Sequence, residues 1–131
     1  QLLEVRKPLE RLVVHRAALN ARDEQRSALS AIARTLSTSH DSFGDFLDLD
    51  RDMDQLLDDC AGNPFASATL APLRTHCRRF WFFYRHRLRL SDAIAAHSTM
   101  IRLIARRDYN GAVKASDAVI AVIERLAASV G

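Results

Sequence analysis

Apolar positions recur along this chain at spacings of three and four residues and nowhere alternate with period two, the pattern of amphipathic helices. Leu2, Val5, Leu9, Leu12, Val13 and Ala17 form one stripe and predict a first helix over 2–20, with Pro8 as a kink or starting point. A second helix is expected over about 23–37, on Leu29, Ile32, Ala33 and Leu36. The polar run 37–42 reads as a loop, with Asp41 or Ser42 capping a third helix that carries Phe46, Leu49, Met53, Leu56, Leu57 and Cys60. Ala61-Gly62-Asn63-Pro64 ends that helix, Gly62 serving as its C-cap. The fourth helix is predicted from near Pro64 to about Arg89, with Pro72 as a kink. Ser91 is the expected cap of the fifth, which carries Ile94, Met100, Ile101, Leu103 and Ile104. Asp108-Tyr109-Asn110-Gly111 reads as a turn before a last helix over 112–128. Six such elements with short connections imply an all-α antiparallel bundle, one domain over residues 1–131.

Composition narrows the class. The 131 residues suffice to bury a core, and 48% apolar with 27% charged residues is the mix of a folded soluble domain. No apolar run reaches membrane-spanning length, so no membrane partner is expected. Gln1-Leu2-Leu3-Glu4 enters helical periodicity directly, without a signal-peptide pattern. Cys60 and Cys77 lack CxxC or zinc spacing and read as buried thiols, which places the protein in the reducing cytoplasm. The net charge of +3 comes without any nucleic-acid-reading motif. A chain that starts inside a helix without Met leads us to expect an N-terminal partner domain outside this sequence.

Three groups carry candidate chemistry. Of the eight aspartates between 41 and 59, Asp45, Asp48, Asp52 and Asp59 fall opposite the apolar stripe and read as solvated. Asp50 and Asp54 fall beside it, where a carboxylate needs an ion pair, a hydrogen bond or a metal. His97, among Ile94, Met100, Ile101 and Ile104, points inward as a core histidine or as a ligand. Asp50, Asp54 and His97 together have the oxygen and nitrogen donors of a bundle-core metal site, and an arginine pairing with the acids is the other reading. Arg6, flanked by apolar residues, could hold a carboxylate in a two-bond fork, pair with Asp50 or Asp54, or lie exposed. Five consecutive aromatics, Phe80 to Tyr84, cover every face of a helix, so some fill core while others line a pocket or face a partner. The arginines around them (Arg78, Arg79, Arg85, Arg87, Arg89) read as a solvated face or as contacts to nucleic acid or an acidic surface. Nucleophile-elbow and phosphate-loop signatures are absent.

Taken in order, three segments resemble one family. Leu3-Glu4-Val5-Arg6-Lys7-Pro8-Leu9-Glu10 is similar to the opening of the FCD domain, the C-terminal effector domain of one branch of GntR-type transcription regulators. Leu49 to Asp54 followed by Cys60-Ala61-Gly62-Asn63-Pro64 resembles its "DxxFH…sxNp" segment. Ala96-His97-Ser98-Thr99-Met100-Ile101, then Arg107 to Ala112, resembles its "EHrxIxxAixxxDxxxA" segment. The resemblance implies an antiparallel bundle of six or seven helices around a central ligand cavity. It also implies a small carboxylate effector, often bound through a divalent metal such as Zn or Ni held by one Asp and three His, and in other members bound in a metal-free pocket. Carried over by position, Asp50 is that Asp and His97 the middle His, while Asp54 and about Val119 stand where the other two His are expected. Arg6 matches a position that contacts the effector's carboxylate, and the stretch around Trp81 and Phe83 matches the helix lining the cavity.

The resulting expectation is a ligand-sensing domain that is not itself an enzyme, acts as a homodimer, and reaches DNA only through a fused winged helix. Two readings from other classes stand beside it: a small metal-dependent enzyme on Asp50, Asp54 and His97, and a helical interaction module using the aromatic-arginine helix.

Overall fold

A computed structural model describes residues 1–38 and 42–130 and consists of six helices: α1 (Leu2–Asn20), α2 (Asp23–Thr38), α3 (Phe43–Ala61), α4 (Pro64–Phe83), α5 (Leu90–Ala105) and α6 (Tyr109–Val130). No strand occurs among the described residues. The helices pack as an all-α bundle with α1 at its centre, touching α3, α4, α5 and α6, while α5 packs between α2 and α6. Val13, Val14, Leu29, Leu36, Leu57, Leu70, Ile101, Ile104 and Ile120 are among the fully enclosed aliphatics where these helices meet.

Local chemistry sets most boundaries. The Ser42 hydroxyl accepts a hydrogen bond from the Asp45 amide and caps α3; the alternative cap, Asp41, lies outside the described residues. Gly62 ends α3 in the left-handed conformation (φ 64°), which a side chain would strain. Asn63 then accepts from the Ala66 amide and Pro64 takes the first position of α4. Pro8 and Pro72 both lie inside helices that continue through them.

Four expectations are corrected. The α1 stripe is rotated: Val5 and Leu12 are exposed, and Arg6, Glu10, Val13, Val14, Ala17 and Ala18 face inward. Two charged residues lead the buried face because they find partners there, as shown below. Helix α4 stops at Phe83 rather than Arg89. Beyond it, Arg85, His86, Arg87 and Arg89 offer no apolar stripe to bury, and i→i+3 bonds such as Arg87 to the Tyr84 carbonyl turn the chain toward α5. Ser91 lies within α5 instead of capping it, and Arg89 holds the cap position without a side-chain bond. The stretch 108–111 is chiefly the first turn of α6, because the Asp108 carboxylate accepts the Gly111 amide and so makes a helix start.

The break between α5 and α6 falls at Arg107, whose φ is 60°. Its guanidinium donates to the carbonyls of Ala18, Leu19 and Ala21, and Arg26 donates to the Ala105 carbonyl. These arginines tie the α1–α2 corner to the α5–α6 corner by satisfying helix-end carbonyls.

Candidate functional site

One face of each of three helices brings charge into the bundle. On α3, Asp50, Asp54 and Asp58 succeed one another at one-turn spacing; on α4, Arg74, Arg78 and Trp81 do the same; on α1, Arg6 and Glu10 are one turn apart. Helices α3 and α4 run antiparallel, so Arg74 meets Asp58 and Arg78 meets Asp54 and Asp50. Arg74 is buried and divides its donors, Nε to Glu10 Oε1 at 2.7 Å and Nη1 to both Asp58 oxygens at 2.9 Å. Arg6 donates from Nε to Glu10 Oε1 at 3.2 Å. Arg78 donates from Nη1 to Asp54 Oδ2 at 2.8 Å and to Asp50 Oδ2 at 3.2 Å. The remaining Asp50 oxygen, Oδ1, lies 3.1 Å from His97 Nε2.

His97 is fixed at both ring nitrogens. Its Nδ1 lies 2.7 Å from the Ala93 carbonyl, which accepts only, so Nδ1 carries a proton. Nε2 faces a carboxylate oxygen, which favours a second proton and an imidazolium. Burial works against that charge, but the hydrogen bond and attraction to Asp50 outweigh it and hold the His97 pKa above the usual value. Burial likewise pushes Asp50 upward, and the bond from His97 with the charges of His97 and Arg78 brings it below the usual carboxylate range. For Glu10, burial is again opposed, here by the charge and hydrogen bonds of Arg74 and then Arg6, and its pKa is lowered. Asp54 differs: burial and the adjacent Asp50 charge push its pKa up to about 7, against the pull of Arg74. With every group ionised, three guanidiniums and one imidazolium balance four carboxylates; a proton on Asp54 leaves one surplus positive charge.

Trp81 closes the inner end. It is 2% exposed, its ring lies 5.6 Å from those of both Phe46 and His97, and its Nε1–H has no acceptor among the described residues. At the outer end an open groove of about 700 Å³ runs along α3 and α4 and reaches Asp54, Arg74 and Arg78.

The structure therefore brings Arg6, Asp50, Asp54, Trp81 and His97 into one connected cluster. Phe83 is not in it: two residues beyond Trp81 on a helix, it points away and is 69% exposed. The acceptor for Arg6 is Glu10 rather than Asp50 or Asp54, which Arg78 occupies. Arg78, read from the sequence as one of a surface run, turns inward, while Arg79, Arg85, Arg87 and Arg89 stay exposed. Glu10, Asp58 and Arg74 were missed as well. Their signal was present, since each repeats at three- or four-residue spacing with a residue already singled out.

The residues do not fit the metal centre that the resemblance implied. Among the described residues no group of three or more His, Cys, Asp or Glu side chains is arranged to hold a metal ion. Arg78 holds Asp54 and one oxygen of Asp50, His97 Nε2 is turned to the other, and Val119 is a buried apolar residue of α6. Cys60 and Cys77 are buried free thiols, as expected; burial and then the Asp59 charge push the Cys60 pKa up to about 11. No helix among the described residues is long and apolar enough to cross a membrane.

Over residues 1–122 the sequence matches the FCD domain, and the chain belongs to that family, the regulatory effector-binding domain of GntR-type regulators. Comparison with curated proteins and with solved structures gives no match.

Proposed function

We propose that this domain senses a small carboxylate through the arginine-rich cluster between α1, α3 and α4, and passes occupancy to a fused winged-helix DNA-binding domain in a cytoplasmic homodimer. The observation that carries this reading is the convergence of three arginines, Arg6, Arg74 and Arg78, with partners they share among four acids. Forked guanidiniums suit bidentate recognition of a carboxylate. Protonation of Asp54 frees one unit of positive charge for an entering anion, and the groove supplies a path to Arg74 and Arg78. The Trp81 N–H, buried without an acceptor among the described residues, is a donor for a second ligand oxygen. Asp50 and His97 keep the floor of the site rigid through their mutual hydrogen bond. A ligand bound here prises α3 from α4 or draws them together. It acts by its differential affinity for two arrangements of the dimer. A metal-dependent enzyme on Asp50, Asp54 and His97 has no observation in its favour, because Arg78 already pairs with both acids.

A thermal-shift panel of mono-, di- and hydroxycarboxylates tests the reading. Binding to the folded state alone raises the melting temperature with ligand concentration. A hit whose effect is lost in Arg78→Lys, which keeps the charge but not the planar fork, supports the proposal. A panel without hits, or a hit indifferent to both Arg74 and Arg78, overturns it.

A further inference from the structure

We infer that the Arg78 guanidinium is the resident cation of this cluster, standing where the family resemblance calls for a metal ion. One nitrogen, Nη1, reaches oxygens of both Asp50 and Asp54, and so joins two carboxylates one helical turn apart as a bound cation would. Position 54 fits this replacement. A histidine there would offer Arg78 a single acceptor when neutral and a repelling charge when protonated, whereas aspartate offers two acceptor oxygens. The same substitution that removes a metal-ligand histidine thus supplies a partner for an arginine. Val119 then has no donor to contribute, and it packs as a buried core residue. His97 retains the orientation common in metal ligands, Nδ1–H toward a backbone carbonyl, but its Nε2 is directed at Asp50. A divalent ion entering here must displace Arg78 from both acids and a proton from Nε2.

The consequence for binding, which rests on the carboxylate reading above, is that a ligand carboxylate meets a planar fork of N–H donors rather than a metal's coordination sphere. Recognition is then by hydrogen-bond geometry, and chelator leaves it intact. The cation assignment itself needs no ligand to be tested, so its failure and that of the carboxylate reading can be told apart.

The experiment is calorimetric titration of chelator-treated protein with zinc and with nickel chloride, on wild type, Arg78→Lys and Arg78→Met. Wild type and Arg78→Lys, each with a resident cation, are expected to show no stoichiometric uptake. Arg78→Met, which keeps an apolar stem but frees Asp50, Asp54 and His97, is expected to gain one ion per chain, and to lose it again when His97→Ala is added. Should Arg78→Met be unfolded, recovery of its helical circular dichroism by zinc supports the inference, and Arg78→Gln carries the same titration otherwise. Stoichiometric uptake by wild type that disappears in His97→Ala overturns it. So does a folded Arg78→Met or Arg78→Gln that binds no more metal than wild type.

Discussion

Arg78 Nη1 donates to Asp54 Oδ2 at 2.8 Å and to Asp50 Oδ2 at 3.2 Å, so a single guanidinium nitrogen bridges carboxylates from successive turns of α3. The two acids respond differently to sharing it. Asp50 has His97 on its other oxygen and stays ionised, while Asp54 is pushed up to about 7 by burial and by Asp50.

This asymmetry sets the pH dependence of folding. A raised folded pKa for Asp54 gives a contribution that is fully present below its usual value of 3.8 and is lost as pH rises through about 7. The raised His97 pKa acts in the same direction above its usual 6.5. The lowered pKa values of Asp50 and Glu10 act oppositely, giving stability above the usual carboxylate range that disappears on acidification. Stability by urea unfolding is therefore expected to peak at about pH 4–5 and decline toward pH 8. Asp54→Asn, which keeps an acceptor for Arg78, should flatten the decline between about pH 4 and 7. Wild-type stability that climbs from pH 6 to 8 would contradict this.

Arg74 is the strongest structural tie in the cluster. It is 2% exposed and holds Glu10 and Asp58 at once. Arg74→Met leaves Glu10 buried with only Arg6, and breaking a buried pair in this way costs about 3–5 kcal/mol. Denaturant midpoints measure it, and a loss no larger than that of an exposed control such as Arg51→Met would show the network to be slack.

Much of this was legible in the sequence, and the failures share a cause. Helix positions followed from apolar spacing, and α1 was read over its observed span although its buried face was not. Periodicity scored by hydrophobicity cannot see a charged residue that is buried because it is paired. Arg6 and Glu10 therefore looked marginal while Val5 and Leu12 looked like core, and Arg78 vanished into a run of surface arginines. Asp50, Asp54 and His97 were placed correctly because apolar neighbours flanked them. The partners that neutralise them come from α4 and α1, a relation set by tertiary packing. The exposed side of Phe83 was open to the sequence only once Trp81 was known to face inward.

Trp81 offers a direct view of the site. It is the sole tryptophan, and it packs on His97 with an N–H that has no acceptor among the described residues. Its fluorescence is expected to shift when a carboxylate binds, and by calorimetry Trp81→Phe should weaken that ligand by about tenfold, in addition to the stability lost by placing a smaller ring in the core. Unchanged affinity would mean that the N–H takes no part.

At the far end of the bundle, Arg107 combines a left-handed backbone with bonds to three carbonyls. Arg107→Ala keeps the backbone strain and loses the bonds, at an expected cost of about 1–3 kcal/mol. Arg107→Gly loses the same bonds but relieves the strain, so it should melt higher than Ala by roughly 1 kcal/mol of stability. The reverse order would show that the turn is not strained.

Calorimetry with the best carboxylate from the thermal-shift panel decides whether arginines in this cluster hold an anionic effector. Arg6→Lys and Arg78→Lys keep the positive charge and lose the planar fork. Losing one charge-assisted bond of about 1.5–3 kcal/mol should weaken binding by at least about tenfold. That loss is expected in both variants, with unliganded melting temperatures close to wild type. Full affinity in both, accompanied by a sharp fall in melting temperature, would make these arginines ion-pair struts of the bundle and leave the cluster without a sensing role.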